Sequence, residues 1–169
     1  GSGMAEDELR DEIRKAKGMT RGILGVNVMF AVRRFAELVK TAIDEGIDLV
    51  ISGAGFSRDM FAWGRAADVP VVPIVGSAKL ARIAEDLGAS AVVVEGKEAG
   101  GHLGTDRSVA AVLPEVRQAV GIPVIAAGGI VDAEDVVKAF DLGADGVQMG
   151  IRFAASVESN AADNLKQLY

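Results

Sequence analysis

The sequence predicts an α/β protein of the TIM-type (β/α)8 barrel class, represented by about six βα units and therefore incomplete. Three observations carry this reading. Short apolar runs rich in β-branched residues alternate with helical patterns along the whole chain. A passage of helix, glycine and strand recurs as GIDLVISGAG, GASAVVVEG and GADGVQMG, with the size of a βα repeat. Glycine-rich punctuation follows several strands, whereas an open doubly wound sheet gathers it at one switch point, and no G-x-G-x-x-G follows the first run.

The expected strands are residues 22–28, 48–54, 69–75, 89–95, 123–127 and 146–150. They are apolar nearly throughout, as parallel strands covered on both faces are. Between them run three stripes at helical spacing: Phe35, Leu38, Val39, Ala42 and Ile43; Leu80, Ile83, Ala84 and Leu87; Val109, Val112, Leu113, Val116 and Val120. Ser77 and Asp132 stand where an N-cap oxygen is needed, and Gly46, Gly88 and Gly143 where a helix ends in a left-handed residue. Met60, Phe61 and Trp63 read as helix packing or a lid, and the acidic stretch 6–12 as a solvated helix face. Pro73 falls inside a strand run, where it removes a ladder donor, so a bulge is expected there. A whole barrel needs about 250 residues, which places the missing strands before the first helix. Residues 1–3, Gly-Ser-Gly, read either as an appended tag or as the loop after an earlier strand.

Composition narrows the function classes. The 169 residues, half of them hydrophobic, suffice for one domain, 1–169, with a real core. A net charge of −6 disfavours nucleic acid as a partner but leaves a small anion open, because local N–H groups can outweigh a distant average field. The absence of cysteine removes disulfides, thiolate metal sites and a cysteine nucleophile. No apolar run approaches the roughly 20 residues of a membrane helix, and the polar, acidic start does not resemble a signal peptide. A cytoplasmic protein with no membrane partner is expected.

Three stretches can carry chemistry. Ala127, Gly128 and Gly129 end one strand and lead to the helix opened by Asp132, while Gln148, Met149, Gly150 and Ile151 end the next. Two adjacent strand ends with N–H groups exposed beside a helix start make an anion cradle, and barrels place phosphate sites in the loops after their last two strands. The competing reading is that these glycines only permit tight turns. The second stretch, EGKEAGGHLG, runs from Glu95 through Gly100 and Gly101 to His102, the single histidine. Its glycines let the backbone approach a flat ligand, and an imidazole titrating near neutrality can accept a proton or steady an anion. A lone histidine is more often structural, but its loop lies at the phosphate end of the barrel. A metal at Glu98 and His102 is set aside for want of a second histidine and a shared helix face. Third, Asn27 is a polar side chain in an apolar strand and needs a partner, in the protein or in a ligand. Gly53 closes another strand and could floor a ring.

Together GVNVM (25–29), SGAG (52–55), PVVPIVGS (70–77), EGKEAGGHLG (95–104), IPVIAAGGI (122–130), GADGVQMGIRF (143–153) and ESNAADN (158–164) resemble the nitronate monooxygenase (2-nitropropane dioxygenase) family, which shares its fold with the flavin-dependent enoyl-acyl-carrier-protein reductases. The resemblance spans essentially the whole chain, and EAGGH is its discriminating piece. It implies FMN, with the phosphate on Gly128, Gly129 and Gly150, Asn27 near the isoalloxazine, and His102 at the reactive face. The implied activity is oxidation of alkyl nitronates with O2. The alternative is reduction of an enoyl thioester using NAD(P)H. Relative to the family, N-terminal strands and a C-terminal cover are lacking, and Ile151 stands where relatives usually carry a hydroxyl residue. A different enzyme using only the phosphate site, and a non-catalytic fragment that self-associates through open strand edges, are the remaining readings. A small-molecule substrate and a homo-oligomer are expected.

Overall fold

The computed structural model describes residues 1–100 and 105–168. Six strands form one sheet: β1 (Gly25–Met29), β2 (Leu49–Gly53), β3 (Val71–Val75), β4 (Val92–Glu95), β5 (Val124–Ala127) and β6 (Gly146–Gln148). They lie side by side in chain order, and every neighbouring pair is parallel. Helix α1 (Glu6–Met19) precedes β1, and α2 (Phe35–Asp44), α3 (Arg58–Ala67), α4 (Ala78–Leu87), α5 (Val109–Ala119) and α6 (Ala133–Asp141) connect successive strands. The short α7 (Ile151–Ala154) and α8 (Asp163–Lys166) follow β6. A doubly wound sheet would break the sequential order at a switch point. This sheet has none, and it is the curled wall of an incomplete TIM-type barrel, open at β1 and β6.

All six expected runs are strands, with their ends moved by one to three residues where helix-exit turns take over. Their continuous apolarity has a direct cause. One face of the sheet sets Val28, Val50, Val75, Val92, Val94 and Val124 against helix residues such as Leu38, Val39, Met60, Phe61, Leu113 and Val116. The opposite, concave face carries Val72, Ala91, Val93 and Ala127, packed with Leu49, Ile51, Ile74 and Ile125. Both faces are thus apolar over most of the strand length.

The punctuation falls as expected. Ser77 Oγ accepts the Leu80 N–H at 3.3 Å and Asp132 Oδ1 accepts the Asp135 N–H at 3.0 Å. Gly46, Gly88 and Gly143 end their helices at φ 70°, 95° and 96°. In the acidic stretch, Asp7, Glu8, Asp11 and Glu12 face solvent, while Leu9 and Ile13 bury against the core.

Two expectations change. Pro73 lies at no bulge: β3 keeps register with β2 through Ser52↔Pro73, and its pairing with β4 begins one residue later, at Ile74↔Val93. The missing donor coincides with a shorter ladder to β4. Leu80 is not core, being 40% exposed, and Ala81 and Ala84 make the helix–sheet contact instead. It stands in the first turn of α4, at the C-terminal end of the sheet, where it borders a cavity. Of the two readings of Met60 and Phe61, helix packing holds: both are fully buried in α3, while Trp63 lies under the Lys40 ammonium at 4.8 Å.

Candidate functional site

Parallel strands in a single barrel wall bring all their C-terminal ends to one side, so every loop carrying a chemical motif meets there. A cleft of about 490 Å3 opens at that end between the loops after β4, β5 and β6. Ten of the expected site residues line it: Asn27, Glu95, Gly100, Ala127, Gly128, Gly129, Gln148, Met149, Gly150 and Ile151. Gly53 borders an adjoining cavity that shares Asn27, Glu95 and Gly100. Gly101 and His102 lie outside the described residues.

The three loops are interlocked. Gly96 donates its N–H to the Ala127 carbonyl at 3.2 Å. Gly128 and Gly129 are left-handed at φ 102° and 69°, and a Cβ on Gly128 would stand 2.9 Å from the Ala99 nitrogen. Glycine at these two positions is therefore required by the turn itself, whatever else it serves. Gly150 is different. Its backbone is right-handed, and a Cβ there would meet nothing within 4 Å among the described residues. None of these residues requires a glycine at that point, which lines the cleft.

The polar lining is unsatisfied in a particular way. Among the described residues, the backbone N–H groups of Gly128, Gly129, Ile130, Met149 and Gly150 have no acceptor. They sit on two adjacent loops around one cleft, an arrangement suited to an anion. The start of α6, by contrast, does not contribute as expected. Asp132 caps it, Asp135 accepts the Val131 N–H at 3.2 Å, and the first residues of α6 do not line the cleft. The cradle belongs to the loops alone.

Asn27 is exposed on the concave face rather than buried. Among the described residues no side chain bonds to it, and it lines both the cleft and the adjoining cavity. Asn27, Glu95 and Gln148 ring the floor as inward-facing residues of β1, β4 and β6. Burial pushes the Glu95 carboxyl above its ordinary 4.5. No cation pairs with it among the described residues. Glu98, in contrast, has a structural task, accepting the Val109 N–H at the start of α5 at 3.0 Å. No cluster of metal-ligating side chains occurs among the described residues.

Sequence reasoning missed Ile74, Val131 and Ser2. Ile74 and Val131 line the cleft, and the strand alternation that places Val72 inward could have found Ile74. Ser2 Oγ accepts the Met29 N–H at 2.8 Å, which sets it beside the adjoining cavity. The cleft as a whole offers a glycine-lined anion cradle at one end, an apolar floor, and three polar side chains between them. It has the chemistry to take a planar ligand with an anionic end.

Comparison with known proteins agrees with this architecture. The family model described as nitronate monooxygenase matches residues 1–169. A (3aS,4S,5R,7aS)-5-hydroxy-7a-methyl-1-oxo-octahydro-1H-indene-4-carboxyl-CoA dehydrogenase from Rhodococcus jostii is 36% identical over 98% of this chain and 47% of its own length. FabK from Thermotoga maritima superposes with a TM-score of 0.94 at 40% identity, over 97% of this chain and 52% of that one. Nitroalkane oxidase from Streptomyces ansochromogenes does so with 0.90 at 27% identity, over 98% and 60%. The chain thus spans about half the length of the curated relatives it matches.

Proposed function

The chain belongs to the nitronate monooxygenase family, and from that premise we propose that its cleft holds FMN and serves an oxidoreductase acting on alkyl nitronates with O2. The observation that carries the proposal is the set of N–H groups on Gly128, Gly129, Ile130, Met149 and Gly150 that have no acceptor among the described residues and surround the cleft. A phosphate monoester fits such a cradle because its oxygens accept from several donors at once without a counter-cation. Gly128, Gly129, Gly150 and Ile151 would hold the phosphate. Asn27, Gly53, Glu95, Gly100, Gly101, Ala127, Gln148 and Met149 would surround the ring. FMN, when bound, supplies the redox chemistry, and the residues supply placement and electrostatics. His102 would face the substrate and accept or steady its charge, an assignment that rests on the EAGGH resemblance and on the loop's position. Glu95 would keep a partly desolvated carboxyl beside the reacting end.

A second reading, NAD(P)H-linked chemistry on an acyl thioester of the enoyl reductase kind, is favoured by the 36% identity to a carboxyl-CoA dehydrogenase. Oxygen uptake with a nitronate, against NAD(P)H consumption with an enoyl thioester, separates the two. The cofactor itself is tested by the visible absorption spectrum of the purified protein before and after incubation with FMN. Flavin bands that persist through desalting support the reading, and their loss overturns it for this chain.

A further inference from the structure

A second cavity, of about 550 Å3, opens at the same end of the sheet and shares Ile74 and Glu95 with the cleft. Its wall is otherwise apolar: Phe30, Phe56, Ile74, Leu80 and Ile83 face it, and Glu95 at the common rim is the one ionisable residue that borders it among the described residues. The wall is braced. Phe30 meets Phe35 edge to face with ring centroids 5.3 Å apart, and Phe56 meets Phe61 in the same way at 5.6 Å. Both supporting rings are buried in the helix layer. Behind Phe30 the chain turns through two left-handed residues, Ala54 at φ 53° and Gly55 at φ 104°, and Ser52 Oγ donates to the Gly55 carbonyl at 2.7 Å to hold the turn. A left-handed alanine is unfavourable and persists only where its surroundings over-determine it. Phe30 and Leu80 nevertheless keep 41% and 40% of their surface exposed, facing a space that the described residues shape without filling.

We propose that this cavity is the subsite for the hydrocarbon part of the substrate, an alkyl or alicyclic group whose reacting end crosses the Ile74–Glu95 rim into the cleft. The inference rests on the oxidoreductase reading of the cleft. Apart from Glu95 at the rim, the side chains of this wall give a polar chain no hydrogen-bonding partner, so they select against one, while each methylene they cover gains affinity. Leu80 sets the outer limit of the space. It is held in place by the Ser77 cap at the start of α4 and carries no part of the core.

The test is calorimetric titration of the protein with n-alkyl carboxylates from butanoate to octanoate, planar anions that imitate a nitronate and do not react. Affinity should rise roughly fourfold per methylene until the cavity is full. Leu80→Gln, which keeps the volume at an already exposed position, should flatten that rise and leave FMN content unchanged. Affinity independent of chain length in the unaltered protein overturns the subsite, as does an unchanged slope in Leu80→Gln. A protein that holds no FMN yet keeps the slope overturns the cofactor reading and leaves the subsite standing.

Discussion

Gly150 and Gly128 look alike in the sequence and differ in their surroundings. A side chain at Gly128 would strain a left-handed turn and press on the loop after β4, whereas one at Gly150 would enter only the open cleft. Gly150→Leu is therefore the cleaner probe: it should leave the melting temperature of the FMN-free protein unchanged and abolish FMN retention, and a fully yellow variant would remove Gly150 from the site. His102→Ala should lower turnover by about 100-fold or more while FMN content stays the same, as expected for loss of a proton-accepting group. Equal activity would take His102 out of the mechanism. Glu95 yields a prediction in pH. Its carboxyl is raised by burial, so the folded protein holds a proton where the unfolded chain has lost it, and ionisation costs stability as pH rises above the ordinary 4.5. Glu95→Gln should accordingly be more stable than the parent at neutral pH, with the difference vanishing below about pH 4. Thermal melts across this range check it, and a gap independent of pH would show that Glu95 is not desolvated.

At the scale of elements, the recurring Gly-x-Asp has a local cause. Asp48 Oδ2 accepts the Leu24 N–H at 2.7 Å and Asp145 Oδ2 accepts the Val124 N–H at 2.8 Å. Each aspartate ties the entry of its own strand to that of the neighbouring one, so the repeat carries pairing information as well as a helix stop. Helix α1 depends on a different balance. Leu9 and Ile13 bury against the core, and Glu45 gathers Arg10 and Arg14 while its carbonyl accepts from Lys17. Exposed ion pairs of this kind contribute little against apolar burial. Ile13→Ala should cost about 2–4 kcal/mol in urea denaturation, whereas Asp11→Ala on the solvated face should stay within about 0.5 kcal/mol. Comparable losses in both would mean that charge, not packing, docks the helix.

The whole molecule leaves β1 and β6 as open edges of a parallel sheet. Ser2 occupies one β1 donor, and large apolar side chains beyond β5 are exposed, among them Val137, Phe140, Phe153 and Val157. Unpaired edges and contiguous apolar surface favour association. Sedimentation velocity at micromolar concentration should show dimers or larger species. A monodisperse monomer carrying FMN would establish that the wall needs no partner to keep its site. Among the described residues no helix is long and apolar enough to cross a membrane.

Much of this was legible from residue order because its causes are local. Hydrophobic period, caps at Ser77 and Asp132 and left-handed glycines at Gly46, Gly88 and Gly143 act within a few residues, and together they determined the six βα units and their parallel sense. They also indicated which loops share one end of the sheet, and so most of the cleft. What the tertiary structure decided are contacts between segments far apart in the chain. Strand register leaves Asn27 exposed on the concave face. The meeting of the loops after β2 and β3 with the start of α4 turns Leu80 from a core residue into the wall of a cavity. Glu98 accepts the first N–H of α5, and the start of α6 lies outside the cleft whose anion cradle was expected to use it. Gly64 allows α3 to approach β3 so closely that a Cβ would lie 2.5 Å from Val71. Sequence periodicity records which face a residue takes, while the identity of what lies opposite is set by packing across the whole wall.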